Sequence, residues 1–142
     1  MILILSVLKK NKAFWLLEKS EGIFVRRDFE LEKGSEDVLL NLDIFFKKEK
    51  IKPKTLTGLI FLVEEAGLTQ VKVLTAILNT LAWQFDLPTA SRFYFSENWS
   101  TVLAKVKKEL SPKKGFKSIK AQYKRPVDIS LSKKKAKYKI KL

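Results

Sequence analysis

The residues with the most direct claim to chemistry are the adjacent carboxylates Glu64 and Glu65, with Gly67 and Thr69 just beyond them. Paired carboxylates can act as acid and base, and converging carboxylates can hold metal ions. Adjacent residues on an extended loop point apart, so this pair is read as solvated loop acids near a helix start. The chain contains no His and no Cys. That removes zinc fingers, disulfide scaffolds, thiol nucleophiles, Ser-His-Asp triads and imidazole acid–base chemistry. What remains plentiful is lysine. Lys113, Lys114, Lys117, Lys120, Lys124 and Arg125 lie among Phe116, Tyr123 and Tyr138, and Lys133, Lys134 and Lys135 follow. Basic residues neutralise phosphates, and aromatic rings stack on unpaired bases. Eight such contacts would give log K a slope of roughly −6 to −7 against log salt. A solvated, solubilising tail is the other reading of the same lysines.

The elements that position these residues follow from length, charge and periodicity. At 142 residues the chain is one ordinary domain. Its hydrophobic fraction of 46% is that of a folded protein. The net charge of +14 is unevenly divided. Residues 105–142 hold fifteen Lys/Arg and two acids, Glu109 and Asp128, while residues 1–104 are close to neutral. A body over 1–111 and a basic C-terminal extension over 112–142 are expected, with the boundary near Ser111-Pro112. No apolar run approaches the ~20 residues of a membrane span. Met1 leads straight into Ile2-Leu3-Ile4-Leu5, without a basic n-region or a small-residue cleavage site. The expected location is the cytoplasm.

Residues 2–8 form a nearly continuous apolar run, as expected for a strand buried on both faces. Residues 13–18 and 23–31 read as two further strands of an antiparallel meander, with turns at 9–12 and 20–22. A helix opens near Ser35, which can cap it, and Glu36 and Asp37 suit its N-terminal dipole. Val38, Leu39, Leu42, Phe45 and Phe46 make its apolar face. Residues 56–63 read as a fourth strand. Thr69 can cap a second helix that runs to about Phe85 and stops at Asp86-Leu87-Pro88. That helix is apolar nearly all round, which predicts cover on more than one side. Residues 88–95 hold a fifth strand, and 98–110 a third, amphipathic helix. The order β-β-β-α-β-α-β-α, with a mixed five-stranded sheet, is that of an RNase-H-like half-domain. The actin-like ATPases share it.

An enzyme on this fold needs a carboxylate in the first strand or a phosphate loop after it. Ser6 stands in that strand, and Val7, Leu8 and Lys9 follow. The loop before the second helix has one Gly, and two carboxylates that repel phosphate. Neither position favours nucleotide or metal chemistry, and no cofactor is expected.

The residues also resemble the TsaB (YeaZ) family. Members open with a strand like Met-Ile-Leu-Ala-Ile-Asp-Thr-Ser and carry Gly-Pro-Gly-Ser-Phe-Thr-Gly-Leu-Arg after the fourth strand. A helix follows that ends in Asn-(Ala/Thr)-Leu-Ala-(Trp/Tyr), then a Pro. Here the matching residues are Met1-Ile2-Leu3-Ile4-Leu5-Ser6, Gly67-Leu68-Thr69-Gln70, Asn79-Thr80-Leu81-Ala82-Trp83 and Leu87-Pro88. Tyr123-Lys124-Arg125-Pro126 is similar to a segment that often ends family members. Ser6 replaces the family's Asp, Glu64-Glu65 and Gln70 replace its glycine-rich turn, and the second half-domain is missing or cut short.

The resemblance implies an actin-like (ASKHA) fold in a short, divergent, non-catalytic scaffold. It implies pairing with a TsaD-like transferase that modifies adenosine 37 of tRNA with a threonylcarbamoyl group, joined by a TsaE-like ATPase. In the family the contact is a bundle of the first two helices of each partner. Carried over, the interface comprises Leu39, Leu42, Phe45, Phe46, Gln70, Val73, Ile77, Thr80 and Leu81. A homodimer through the same surface is the expectation for the isolated chain. Two other readings stay open: a free-standing RNA- or ribosome-binding protein acting through the basic tail, and an enzyme with an altered nucleotide site.

Overall fold

The computed structural model describes residues 1–32, 34–112 and 115–122. The elements are β1 (Ile2–Val7), β2 (Lys12–Ser20), β3 (Ile23–Glu30), α1 (Ser35–Glu49), a 3-10 turn (Pro53–Thr55), β4 (Gly58–Val63), α2 (Leu68–Gln84), β5 (Thr89–Phe93) and α3 (Trp99–Lys107). Their order is the one read from the sequence. They build a mixed five-stranded α/β sheet in the order β3-β2-β1-β4-β5. The meander pairs are antiparallel, and β1·β4 and β4·β5 are parallel.

Register explains why the sheet is apolar on both sides. Trp15, Leu5 and Phe61 lie side by side across β2, β1 and β4, as do Leu17, Leu3 and Leu59. These odd-numbered residues face α1 and α2. Leu16, Ile4 and Ile60 form a row on the opposite face, with Phe14, Ser6 and Leu62 beside it. That face meets α3 through Val102, Leu103 and Val106. Each fully buried large side chain contributes about 1.5–3 kcal/mol. β3 lies at the edge and alternates exposed with half-buried residues, as a strand with one wet face must.

Helix orientation is set by a few specific contacts. Trp15 Nε1 donates to Val38 O at 3.1 Å, fixing the first turn of α1 on the sheet. Arg27 Nε donates to Asn41 Oδ1 at 2.9 Å, tying the middle of α1 to β3. α1 therefore buries Val38, Leu42 and Phe45, and α2 buries Val71, Leu74, Thr75, Leu78 and Ala82.

The local details differ from expectation at several points. Gly34 and Gly67, rather than Ser35 and Thr69, hold the cap positions of α1 and α2, and a glycine has no side chain with which to cap. Asn98 does cap α3, accepting from Ser100 N at 3.1 Å. β4 begins at Gly58, because residues 53–55 turn first and Thr57 N bonds Met1 O. Gly58 leaves room for the Leu110 side chain, which a Cβ at this position would strike. The third helix stops at Lys107, three residues short of the expected end.

The chain beyond α3 does not leave the body at Ser111. Residues 115–122 turn past the start of β5 onto the face that carries α2. Phe116 N donates to Asp86 Oδ1 at 3.0 Å, and Lys117 N to Leu87 O at 3.4 Å. Thr89 Oγ1 donates to Lys117 O. Asn79 grips Ile119 twice, Nδ2 to the carbonyl at 3.0 Å and the amide to Oδ1 at 2.6 Å. Ile119 is buried in the core under α2. Packing thus continues past the expected boundary at Ser111-Pro112, while Phe116, Lys117 and Lys120 on this strap point outward. No helix is long and apolar enough to cross a membrane among the described residues.

Candidate functional site

The outer surface of α1 and α2 is a part of the molecule that folding leaves unfinished. α2 carries one charged residue, Lys72, in seventeen. Its sheet-facing stripe is buried, yet Leu68, Val73 and Trp83 are exposed on the other side, with Ala76 and Thr80 between them. α1 exposes Leu39, Leu40 and Ile44, and Leu40 is 58% exposed. A monomer in water gains nothing from apolar side chains here, and contiguous exposed apolar surface marks an interaction site.

The sequence-derived interface residues fall into three groups. Leu39, Val73 and Thr80 are exposed, and Phe46, Gln70, Ile77 and Leu81 are half-buried. Leu42 and Phe45 are corrected: they point into the core against the sheet, at 6% and 2% exposure, and cannot reach a partner. The helical stripe containing all of them is wider than the part the sheet covers. Leu40 and Ile44 were missed. Their spacing of four, one step off the core stripe, was the available signal.

At the N-terminal end of α2, a cavity of about 410 Å³ is lined by Lys10, Asn11, Glu65, Ala66, Gly67 and Gln70. This is the position of the loop weighed above for phosphate binding. Glu65 is exposed there, while Glu64 is half-buried and 3.8 Å from Lys9 Nζ. The two carboxylates are thus separated, one in an ion pair and one on the cavity wall. Ser6 is fully buried in β1, in the row that faces α3, and its Oγ has no hydrogen-bond partner. No group of three or more carboxylates that could hold a metal comes together among the described residues.

The fold is similar to that of solved structures. YeaZ from Pseudomonas aeruginosa superposes with a TM-score of 0.56 and 13% identity, over 65% of this chain and 44% of that one. An uncharacterized protein with similarity to peptidase YEAZ from Pseudomonas aeruginosa gives 0.57 and 13%, over 65% of this chain and 42% of that one. The chain spans less than half the length of either. No protein-family model matches the sequence, and no curated protein matches it. At this identity the likeness is one of fold.

The α3 face of the sheet is finished differently. Phe14 is covered by Trp99, edge-on at a centroid distance of 5.0 Å, and by the Arg26 guanidinium 3.8 Å from its ring centre. Glu18, 8% exposed, takes a bond from Lys107 Nζ at 2.6 Å. At the start of α3, Glu97 is held below the ordinary carboxylate range, first by its hydrogen bond from Lys105 and then by that residue's charge. Of the basic residues singled out in the tail, Lys117 and Lys120 are exposed. Lys113, Lys114, Lys124, Arg125, Lys133, Lys134 and Lys135 lie outside the described residues, as does the segment from Tyr123 onward.

Proposed function

We propose that the protein is a non-catalytic scaffold subunit of the YeaZ (TsaB) type, built on an ASKHA half-domain. In this reading it pairs with a TsaD-like transferase in threonylcarbamoylation of adenosine 37 of tRNA. A TsaE-like ATPase joins the assembly, and the basic tail helps hold the tRNA. The observation that carries the reading is the nearly uncharged outer ridge of α2 beside the exposed leucines of α1. The fold likeness to YeaZ supports it. Ser6 in the first strand and Glu65 on the cavity wall support a role without chemistry of its own, since Ser6 brings no metal-binding carboxylate and Glu65 repels phosphate.

The test is affinity capture of the tagged full chain from its source cells, at high salt with nuclease. Recovery of a TsaD-like transferase, lost with Leu40→Glu or Val73→Glu, supports the scaffold. Both positions are exposed, so the variants are expected to fold. Recovery of nuclease-sensitive ribosomal material alone overturns it in favour of an RNA-binding protein. Removal of residues 123–142, which leaves the Ile119 strap in place, tests the tail. Unchanged tRNA affinity of the assembled complex would exclude a tail contribution.

A further inference from the structure

The corner where α2 ends joins Trp83, at the end of the exposed α2 ridge, to groups the scaffold reading does not use. Trp83 is 70% exposed, the highest value among the large apolar side chains of the described residues. Phe116 is exposed as well. Both are tied to Asp86: its amide donates to Trp83 O at 3.3 Å, and its Oδ1 accepts the Phe116 amide at 3.0 Å. Two solvent-facing rings, thirty-three residues apart in sequence, are thereby brought to one corner.

The segment carrying Phe116 lacks regular secondary structure, yet it is not loose. Its backbone is fixed by bonds to Asp86, Leu87, Thr89 and Asn79, and Ile119 is sunk in the core. A segment held this firmly presents Phe116, Lys117 and Lys120 to solvent in set positions. Neither lysine forms an ion pair among the described residues. From residue 110 to 127 the sequence carries six basic residues and no acid. Asp86, the carboxylate that joins the two segments, has an oxygen occupied by the Phe116 amide.

We propose that this corner binds single-stranded nucleic acid, with Trp83 and Phe116 stacking on unpaired bases and Lys117 and Lys120 meeting the phosphates. Exposed rings beside unpaired cations match a ligand that supplies both π-faces and regular negative charge. A duplex hides its base faces, so the unpaired strand is the favoured form. The site lies on the folded body, beyond the scaffold reading, and it needs neither a protein partner nor the residues after 122.

The test uses the full chain and a labelled single-stranded oligoadenylate, followed by anisotropy across a salt series. Trp83→Ala is expected to weaken binding by about 5- to 150-fold with little change in salt slope. Trp83→Phe should retain most of the affinity while removing the binding-induced change in tryptophan emission, since Trp15 is buried and Trp99 packs on Phe14 on the α3 face. Lys117→Ala with Lys120→Ala should flatten the slope by about 1.4, at ~0.7 per phosphate on a single strand. The proposal is overturned if Trp83→Ala binds like the parent, or if a duplex of equal length binds as tightly as the single strand. Preference for an acidic peptide over the oligoadenylate would overturn it too. None of these outcomes bears on capture of a TsaD-like transferase, so the two readings fail separately.

Discussion

The two faces of the sheet bury similar rows of side chains but end in opposite ways. On the α3 face, one nine-residue helix covers the middle, and polar groups complete the margin: Arg26 over Phe14, and Lys107 on Glu18. On the other face, two longer helices and the Ile119 strap cover the sheet, and both helices leave apolar side chains exposed on their outer sides. A cation over a ring and a shielded ion pair satisfy their groups within the chain. An exposed leucine gains nothing until a second surface arrives. The contrast separates the side that folding completes from the side that association would complete.

The sharpest way to break this contrast is at Phe14. It is fully buried, and both Trp99 and Arg26 rest on it. Phe14→Ala should cost about 3–5 kcal/mol in urea unfolding, as large core truncations do. On the other face, paired substitutions in α1 separate inside from outside. Leu42→Ala should cost about 2–5 kcal/mol, and Leu40→Ala less than about 0.5 kcal/mol in the isolated chain. If both cost the same, α1 is turned differently from the description above. Lys107→Ala leaves Glu18 without its partner, and a loss of about 1–3 kcal/mol is expected. The smallest effect belongs to Ser6→Ala. Its hydroxyl is buried without a partner, so removal should be neutral or stabilising by up to about 1 kcal/mol in thermal unfolding.

The order of elements was legible because each announces itself locally. The runs 2–8 and 56–63 are too apolar to be anything but central, and β3 alternates as an edge does. Orientation of the helices was not legible. α2 is apolar nearly all round, so no polar stripe tells which side meets the sheet. The choice falls to packing between residues far apart in sequence. For α1 the decision rests on Trp15 reaching Val38 O, twenty-three residues away. That contact is why Leu42 is core and Leu40 is surface. The strap was hidden for a related reason. A lone Ile119 in a basic stretch is a faint apolar signal, and its partner Asn79 looks like any polar residue on a helix. The aromatic corner depends on the same long-range closure, since Phe116 reaches Asp86 only once the strap is seated.

That strap also bears on the sequence of events in folding. Its bonds join residues forty and twenty-eight apart, and they land on α2 and on the first residue of β5. The receiving surface exists only after β5 has paired with β4, so the strap is expected to close last. Interactions absent from the transition state govern how fast a protein comes apart rather than how fast it assembles. Asn79→Ala should therefore quicken unfolding in stopped-flow measurements and leave the refolding rate nearly unchanged. The short run around Ile119 would then act as a latch on the lifetime of the folded chain, although it adds no strand or helix to the architecture.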